Sequence, residues 1–412
     1  MSESLGDLYD PFGVHMDDPW PFYTQAQRAT PIFFAPALKA WVVTRLADVR
    51  QVLRDGNTFS SANVLRPLVP FSPKVFPILA QGYPMVPPLL MLDGEQHRKQ
   101  RAPYADDLSA EHVSDLEPYI TKQATALIDR FTANGRTTDL VASYAAPLPV
   151  SVICHILGFA PEDHTMIGDD TRTAAGLAMG QRFDSEDEQV RAAHAWVRAQ
   201  RTIGRYAIAR RAKPEHDLLS HVVAAWAPGD DPLTPRQEAG IAGELFGVII
   251  AGHNTPSAAI ADGLLRLLAD SEQWRLLCRK PELIPNAVEE IARFSTPFHI
   301  FLRKTTEETT LAGQRLPAGT EIAVWLAAAN RDESVFERAG EFDITRPAGT
   351  HLGFGVGAHF CVGAGLARRE LEITLRLLTE RLPGLRLVPD QQIAFYPSIS
   401  QRGPLSVRVT WD

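Results

Sequence analysis

Apolar residues recur at helical spacing through 116–131, 149–157, 187–210 and 236–251, with polar residues between them. The middle of the chain is therefore predicted to be a set of helices. Thr234-Pro235-Arg236-Gln237 opens one of them, with an N-cap hydroxyl followed by proline at the first helical position. Trp41, Val42 and Val43 read as a short strand, and Leu46 to Val49 as the start of a helix that continues through Val52 to Phe59 toward a loop. The last third alternates turns with short strands at 321–325 and 406–410, and 364–380 is helical again.

One stretch breaks this rhythm. Between Ser60 and Leu92 lie Pro67, Pro70, Pro73, Pro77, Pro84, Pro87 and Pro88, which forbid a long helix. Apolar Leu68, Phe71, Phe76, Ile78, Leu79, Tyr83 and Met85 fill the same stretch. An irregular segment of that size in a compact chain reads as functional.

Composition narrows the class. The 412 residues are 45% hydrophobic and 22% charged, which is ordinary for a globular protein. Length alone suggests two or three domains, but no long linker separates them. A net charge of −8 disfavours a nucleic-acid role. Cys154, Cys278 and Cys361 are odd in number and far apart, so no disulfide framework or zinc spacing is present, and a reducing cytoplasm is expected. Residues 1–20 are acidic and broken by Pro11, Gly13 and Pro19; they are expected to be poorly structured, with no signal peptide or membrane anchor. No repeat or low-complexity tract is visible.

The densest chemical signal is Phe354-Gly355-Val356-Gly357-Ala358-His359-Phe360-Cys361-Val362-Gly363, immediately before a helix. Glycines allow close backbone approach and bends that a side chain would block. Backbone amides, a helix start and a metal all stabilise a thiolate. The run resembles the haem-thiolate signature of the cytochrome P450 family. The resemblance covers nearly the whole chain and implies a mainly α fold with small β-sheets, a triangular single domain over 1–412. It implies haem b with Cys361 as axial ligand to the iron, Gly355 and Gly363 shaping the loop, and Phe354 covering the sulfur. A thiolate ligand favours O–O cleavage.

Other residues agree with that reading. His97 and Arg101 stand four apart and share a helical face. With Arg303 and His359, and more weakly His351, they match the family's propionate-binding positions. Arg98 and Lys99 read as a solvated face. Glu290 and Arg293, with Arg346 in Phe342-Asp343-Ile344-Thr345-Arg346-Pro347, match a structural acid–arginine network. Residues 60–92 match the region that covers the substrate.

The central helix departs from the pattern. Ala251-Gly252-His253-Asn254-Thr255-Pro256 stands where the family has small-Gly-x-acid-Thr. Ala251 and Gly252 are expected to leave room over the iron, and Thr255 to relay a proton. Asn254 cannot ionise as the usual acid does. His253 is expected at the helix surface or the core edge, with an outer relay near neutral pH as the alternative. Pro256 is expected to loosen the turn and free the Gly252 carbonyl for water or Thr255.

The resemblance places the pocket wall at Leu89, Leu177, Met179, Phe246, Ile250, Phe298, Ile300 and Ile399, with His299 at the pocket or the propionates. The expected substrate is apolar, small to medium in size, and aromatic substrates are favoured. Arg66 and Lys74 read as solvated more than as carboxylate anchors. No nucleotide fingerprint or iron–sulfur cysteine set is present in the sequence. The implied partners are therefore a ferredoxin with an NAD(P)H-dependent reductase, or a fused reductase absent from this chain, docking near Arg98, Lys99, Arg368 and Arg369. A monomer is expected. The implied reaction is hydroxylation or O/N-demethylation with dioxygen. The alternatives are a peroxide-driven peroxygenase and a non-catalytic haem protein for sensing or storage.

Overall fold

The structure is a computed structural model that describes residues 4–412. Its helices in chain order are α1 (Val14–Asp17), α2 (Trp20–Ala29), α3 (Leu46–Arg54), α4 (Val75–Leu79), α5 (Gly94–Asp107), α6 (Ala110–Asp115), α7 (Glu117–Ala133) and α8 (Pro147–Ile156). They continue as α9 (His164–Ala178), α10 (Glu186–Ala212), α11 (Leu218–Trp226), α12 (Pro235–Ala269), α13 (Ser271–Arg279), α14 (Ile284–Ser295), α15 (Leu326–Ala329) and α16 (Ala364–Arg381). The strands are β1 (Ile32–Ala35), β2 (Ala40–Val43), β3 (Phe59–Ser60), β4 (Thr137–Asp139), β5 (Ile300–Thr305), β6 (Thr309–Leu311), β7 (Gln314–Leu316), β8 (Glu321–Trp325), β9 (Arg386–Leu387) and β10 (Arg408–Thr410).

The strands form three small sheets: β1-β2-β8-β5-β3, β4-β10-β9 and the hairpin β6-β7. In the first, β2 runs parallel to β8 and the other pairs are antiparallel. No helix among the described residues is long and apolar enough to cross a membrane.

The largest core cluster gathers Tyr104, Ile128, Leu148, Ile203, Leu245, Ile260 and Leu371 from six helices, with Tyr144 from the segment before α8. Through it runs α12, 35 residues or about 52 Å of helix. Its start is fixed by a capping box between Thr234 and Gln237, the N-cap the sequence announces. Pro256 does not break it: the helix is continuous to Ala269. Proline still removes the N–H that would reach the Gly252 carbonyl. The Thr255 hydroxyl does not compensate there, because it donates to the Ala251 carbonyl at 2.8 Å.

Of the segment 1–20, expected to be poorly structured, residues 1–3 lie outside the described residues and the rest is anchored by packing. Tyr9 and Met16 are each 5% exposed. Tyr9 stacks on Phe22 at 4.8 Å and meets Trp325 at 4.9 Å between ring centroids. Aromatic packing anchors a segment whose prolines and glycine deny it long helices. The proline-rich stretch contributes α4, whose Val75 is buried with Leu177, Ala192 and Ala193.

Candidate active site

The loop before α16 is built as its glycines require. Gly355 and Gly357 have φ of 68° and 81°, left-handed values that favour glycine. A Cβ on Gly357 would also stand 2.5 Å from the Leu53 carbonyl oxygen. The Cys361 N–H donates to the Phe354 carbonyl at 2.9 Å, closing the loop. Cys361 is deeply enclosed by protein, yet its side chain is accessible, so it faces an interior cleft. Burial raises its thiol pKa, opposed by the Gly363 N–H and by Arg101 and Arg368. A Cβ on Gly363 would meet nothing within 4 Å. Phe354 is half-buried, with the Arg368 guanidinium 4.2 Å from its ring centre.

Beside this loop the structure gathers a cationic cluster. His97 and His359 stack with centroids 4.1 Å apart. His97 and Arg303 are 2% and 3% exposed. Burial and Arg101 lower the His97 pKa; burial, Arg303 and His97 bring His359 to about 4; burial alone brings Arg303 to about 10. Arg101, lowered by burial as well, donates to the Phe360 carbonyl at 2.5 Å. Asp93 is the carboxylate that acts on His97, Arg303 and His359, and its oxygens already accept from Ser60 and Ser61. His97 Nε2 is buried without a partner. A cluster so short of negative charge calls for an anion. Arg98 and Lys99 are exposed, as expected.

His351 does not belong to this set. Its Nδ1 accepts from the Gly353 N–H at 3.0 Å and its Nε2 meets Glu289 at 3.0 Å. Glu289 also receives Arg368 at 2.6 Å. Burial would raise the Glu289 pKa, but His351 and Arg368 bring it down to about 2. Both ring nitrogens of His351 are thus engaged within a structural network. Nearby, Arg293 holds Glu290 through two bonds of 2.7 Å, and Arg346 adds one of 3.3 Å. Arg293 further donates to the carbonyls of Asn330, Ala339 and Glu341, so Glu290, Arg293 and Arg346 come together as one buried unit.

On α12 the accessible positions are Gly243, Gly247, Val248, Ala251, Gly252 and Thr255, while the rest of this stretch is buried. They make one accessible stripe along the helix, and it is made mostly of small residues. Gly252 answers a different need from the one expected: a Cβ there would stand 2.7 Å from Ile153 Cγ1 of α8. It is glycine because two helices touch. His253 is 1% exposed, with Nε2 2.9 Å from Thr171 Oγ1 of α9. Burial, with Arg172, lowers its pKa to about 3, which removes it as a neutral-pH relay. Asn254 is 7% exposed.

The expected pocket wall is largely redistributed. Phe246 and Ile250 point into the core, Phe246 against Trp196 of α10 at 4.4 Å. Leu177 packs under α4. On β5 residues alternate between faces, and Arg303 faces the cationic cluster. Ile300 and Leu302 therefore face the other way, into the N-terminal aromatic core, where Ile399 also sits. Phe301 shares the face of Arg303, with Phe298 stacked on it at 4.4 Å. Leu89, Met179 and Phe298 remain half-buried. His299 is buried beside Trp20 and Tyr23, away from the cluster. Arg66 bonds the Leu38 carbonyl and lies 3.4 Å from Glu321, and Lys74 pairs with Glu186. Neither is free to anchor a substrate. Two surface clefts of about 420 and 410 Å³ lie elsewhere and include none of the residues around Cys361.

Comparison with known proteins decides the family. A family profile described as Cytochrome P450 matches residues 279–383. The Mycinamicin IV hydroxylase/epoxidase of Micromonospora griseorubida is 35% identical over 377 residues, covering 90% of this chain and 90% of that protein. The chain belongs to the cytochrome P450 family. The Nocardicin C N-oxygenase of Nocardia uniformis subsp. tsuyamanensis is 36% identical over 377 residues, 90% of this chain and 89% of that one. A solved cytochrome P450 named CREJ, in complex with (4-ethylphenyl) dihydrogen phosphate, superposes with a TM-score of 0.91 at 30% identity, over 99% of this P450 and 100% of that chain. An intact type IV self-sufficient cytochrome P450 monooxygenase gives 0.91 at 32% identity, over 100% of this chain and 53% of its own. This P450 is thus an oxygenase of the bacterial type, and its cofactor is haem b, bound in the family through a cysteine thiolate. The residues present fit that group: an enclosed but accessible thiol, an anion-seeking cluster beside it, and a small-residued helix stripe.

Proposed function

We propose that this P450 inserts oxygen into an apolar organic substrate, using dioxygen and two electrons from a ferredoxin and its NAD(P)H-dependent reductase. Cys361 would ligate the iron, and Arg101, Arg303, His97 and His359 would hold the propionates. The observation that carries the reading is Cys361, enclosed yet accessible in a glycine-shaped loop beside a cationic cluster short of counter-charge. When bound, the haem supplies oxygen activation and electron transfer.

The chain's own residues supply the rest. Phe354 and the loop exclude water from the sulfur. The Gly363 N–H and Arg101 favour the thiolate. Thr255 directs its proton to the Ala251 carbonyl, so its hydroxyl oxygen offers lone pairs to the cleft. It accepts a hydrogen bond as it stands, and donates one to the cleft only by turning away from that carbonyl. Asn254 can orient water but cannot supply a proton.

The glycine-rich stripe of α12 supports a roomier pocket than one crowded by Phe246 would be. The named activities of relatives include a hydroxylase/epoxidase, an N-oxygenase and a methyl-branched lipid omega-hydroxylase. They share oxygen insertion and differ in substrate. Hydroxylation is the reaction we favour, with O/N-demethylation as its sequel where the hydroxylated carbon bears oxygen or nitrogen. Peroxide-driven turnover is the second reading, favoured by Asn254 and by the neutral, locked His253. Of the expected docking residues, Lys99, Arg368 and Arg369 pair with glutamates, which weakens that patch as a recognition surface. We place the enzyme in the cytoplasm on its three free cysteines.

The test is a spin-shift titration of the ferric protein with aromatic acids, neutral aromatics, terpenoids and macrocycles. Neutral, bulky ligands are expected to shift the Soret band from low to high spin. Small aromatic acids are expected to fail, because Arg66 and Lys74 are engaged. A Cys361→Ser protein that kept the haem-thiolate carbonyl spectrum would overturn the ligand assignment.

A further inference from the structure

The turn of α12 that carries Asn254 and Thr255 is short of one backbone hydrogen bond. Pro256 has no N–H to give the Gly252 carbonyl. The Thr255 hydroxyl adds its bond one residue earlier, at Ala251. Yet α12 remains regular through this turn.

One side chain of the turn is tied to another helix. His253 Nε2 lies 2.9 Å from Thr171 Oγ1 on α9, with both residues buried. The Thr171 hydroxyl also lies 2.7 Å from the Ile167 carbonyl. When it donates there, its oxygen accepts from His253 Nε2; in the other tautomer it donates to the ring, and the two side chains are joined either way. Burial, reinforced by Arg172, keeps the imidazole neutral. On the neighbouring position of the turn, Gly252 lies close against Ile153 of α8. The weakened turn is thus held by contact with α8 and by a side-chain bond to α9.

We propose that the Thr171–His253 bond is a brace that holds the proline-weakened turn in register, and so positions Thr255 toward the cleft. This rests on the oxygenase reading above. His253 and Thr171 are positioning residues: they act through their neighbours. The pair also couples α9 to the reacting face, since any displacement of α9 must drag His253 or break the bond.

The test compares wild type, Thr171→Val and Thr171→Ser as haem-loaded proteins. Valine keeps the shape and removes the hydroxyl; serine restores it. Backbone amide exchange over the 251–257 turn is expected to quicken about tenfold in Thr171→Val, the effect of one lost net hydrogen bond, and to return in Thr171→Ser. The C–O stretching band of the ferrous carbonyl form, which senses distal polar groups, is expected to broaden or split in valine and sharpen again in serine. Exchange and band unchanged in Thr171→Val would overturn the brace. If that variant yields no folded protein, His253→Phe is read in the same two ways. A wild type with no haem-thiolate carbonyl spectrum would count against the oxygenase reading, and the exchange comparison would still decide the brace.

Discussion

Glu370 lies fully inside the protein on α16, and neither of its carboxyl oxygens has a partner. Burial raises its pKa to about 8, so it is folded as the neutral acid. In the unfolded chain it ionises near the ordinary carboxylate value. Its contribution to stability is therefore full below about pH 4, and is lost as the pH rises toward about 8, at roughly 1 kcal/mol per pH unit. Glu370→Gln is expected to flatten this decline between pH 5 and 8, as read by urea unfolding at several pH values. Asn254 invites the reverse exchange. Asn254→Asp restores an ionisable group beside Thr255, and is expected to raise product formed per NAD(P)H and reduce peroxide release at unchanged haem content. Cys361, the cationic residues around it and the Glu290 network were legible because each sits in a spaced motif. His351 stands three residues before the run Phe354 to Gly363 and read as a weaker member of the set. Only its two hydrogen bonds assign it to Glu289 and Gly353.

At the scale of the element, periodicity predicted where helices and strands lie, and the errors came from choosing which face does what. On α12 the large apolar residues Phe246 and Ile250 were placed at the pocket, yet a helix enclosed by others directs such residues into the core. The informative row was Gly243, Gly247, Ala251 and Thr255, small residues four apart. On β5 the alternation itself forbids Ile300 from sharing the face of Arg303. Gly247→Leu is expected to fill the cleft, weakening binding of bulky ligands about tenfold in spin-shift titrations while small ligands bind as before. The grip of α14 on the segment around Arg346 is a second element-level device. Glu290→Ala leaves Arg293 buried without its carboxylate, and a loss of about 3–5 kcal/mol is expected in chemical denaturation, with falling haem content.

For the whole molecule, the cationic cluster makes the cofactor part of the fold's electrostatics. Arg303 lies at the interior beside Arg101 and the neutral His97 and His359, with little opposing charge. Removing the haem is expected to lower the melting temperature by about 10 °C or more, as follows when a tightly bound anionic ligand is lost. An apoprotein melting with the holoprotein would contradict the propionate assignment. The lack of long linkers was visible in the sequence. The anchoring of Tyr9 was not, because its partners Phe22 and Trp325 belong to α2 and to the end of β8, and no local pattern joins them.

The contact between Gly357 and the Leu53 carbonyl carries a consequence for how the enzyme comes into being. The loop bearing Cys361 takes its shape partly from α3, close to the opposite end of the chain. During synthesis α3 must wait, with its side of the groove open, until the Cys361 loop has emerged as well. Loading of the iron porphyrin is thereby placed after both segments have left the ribosome, and a truncated chain ending before residue 357 would lack its prosthetic group.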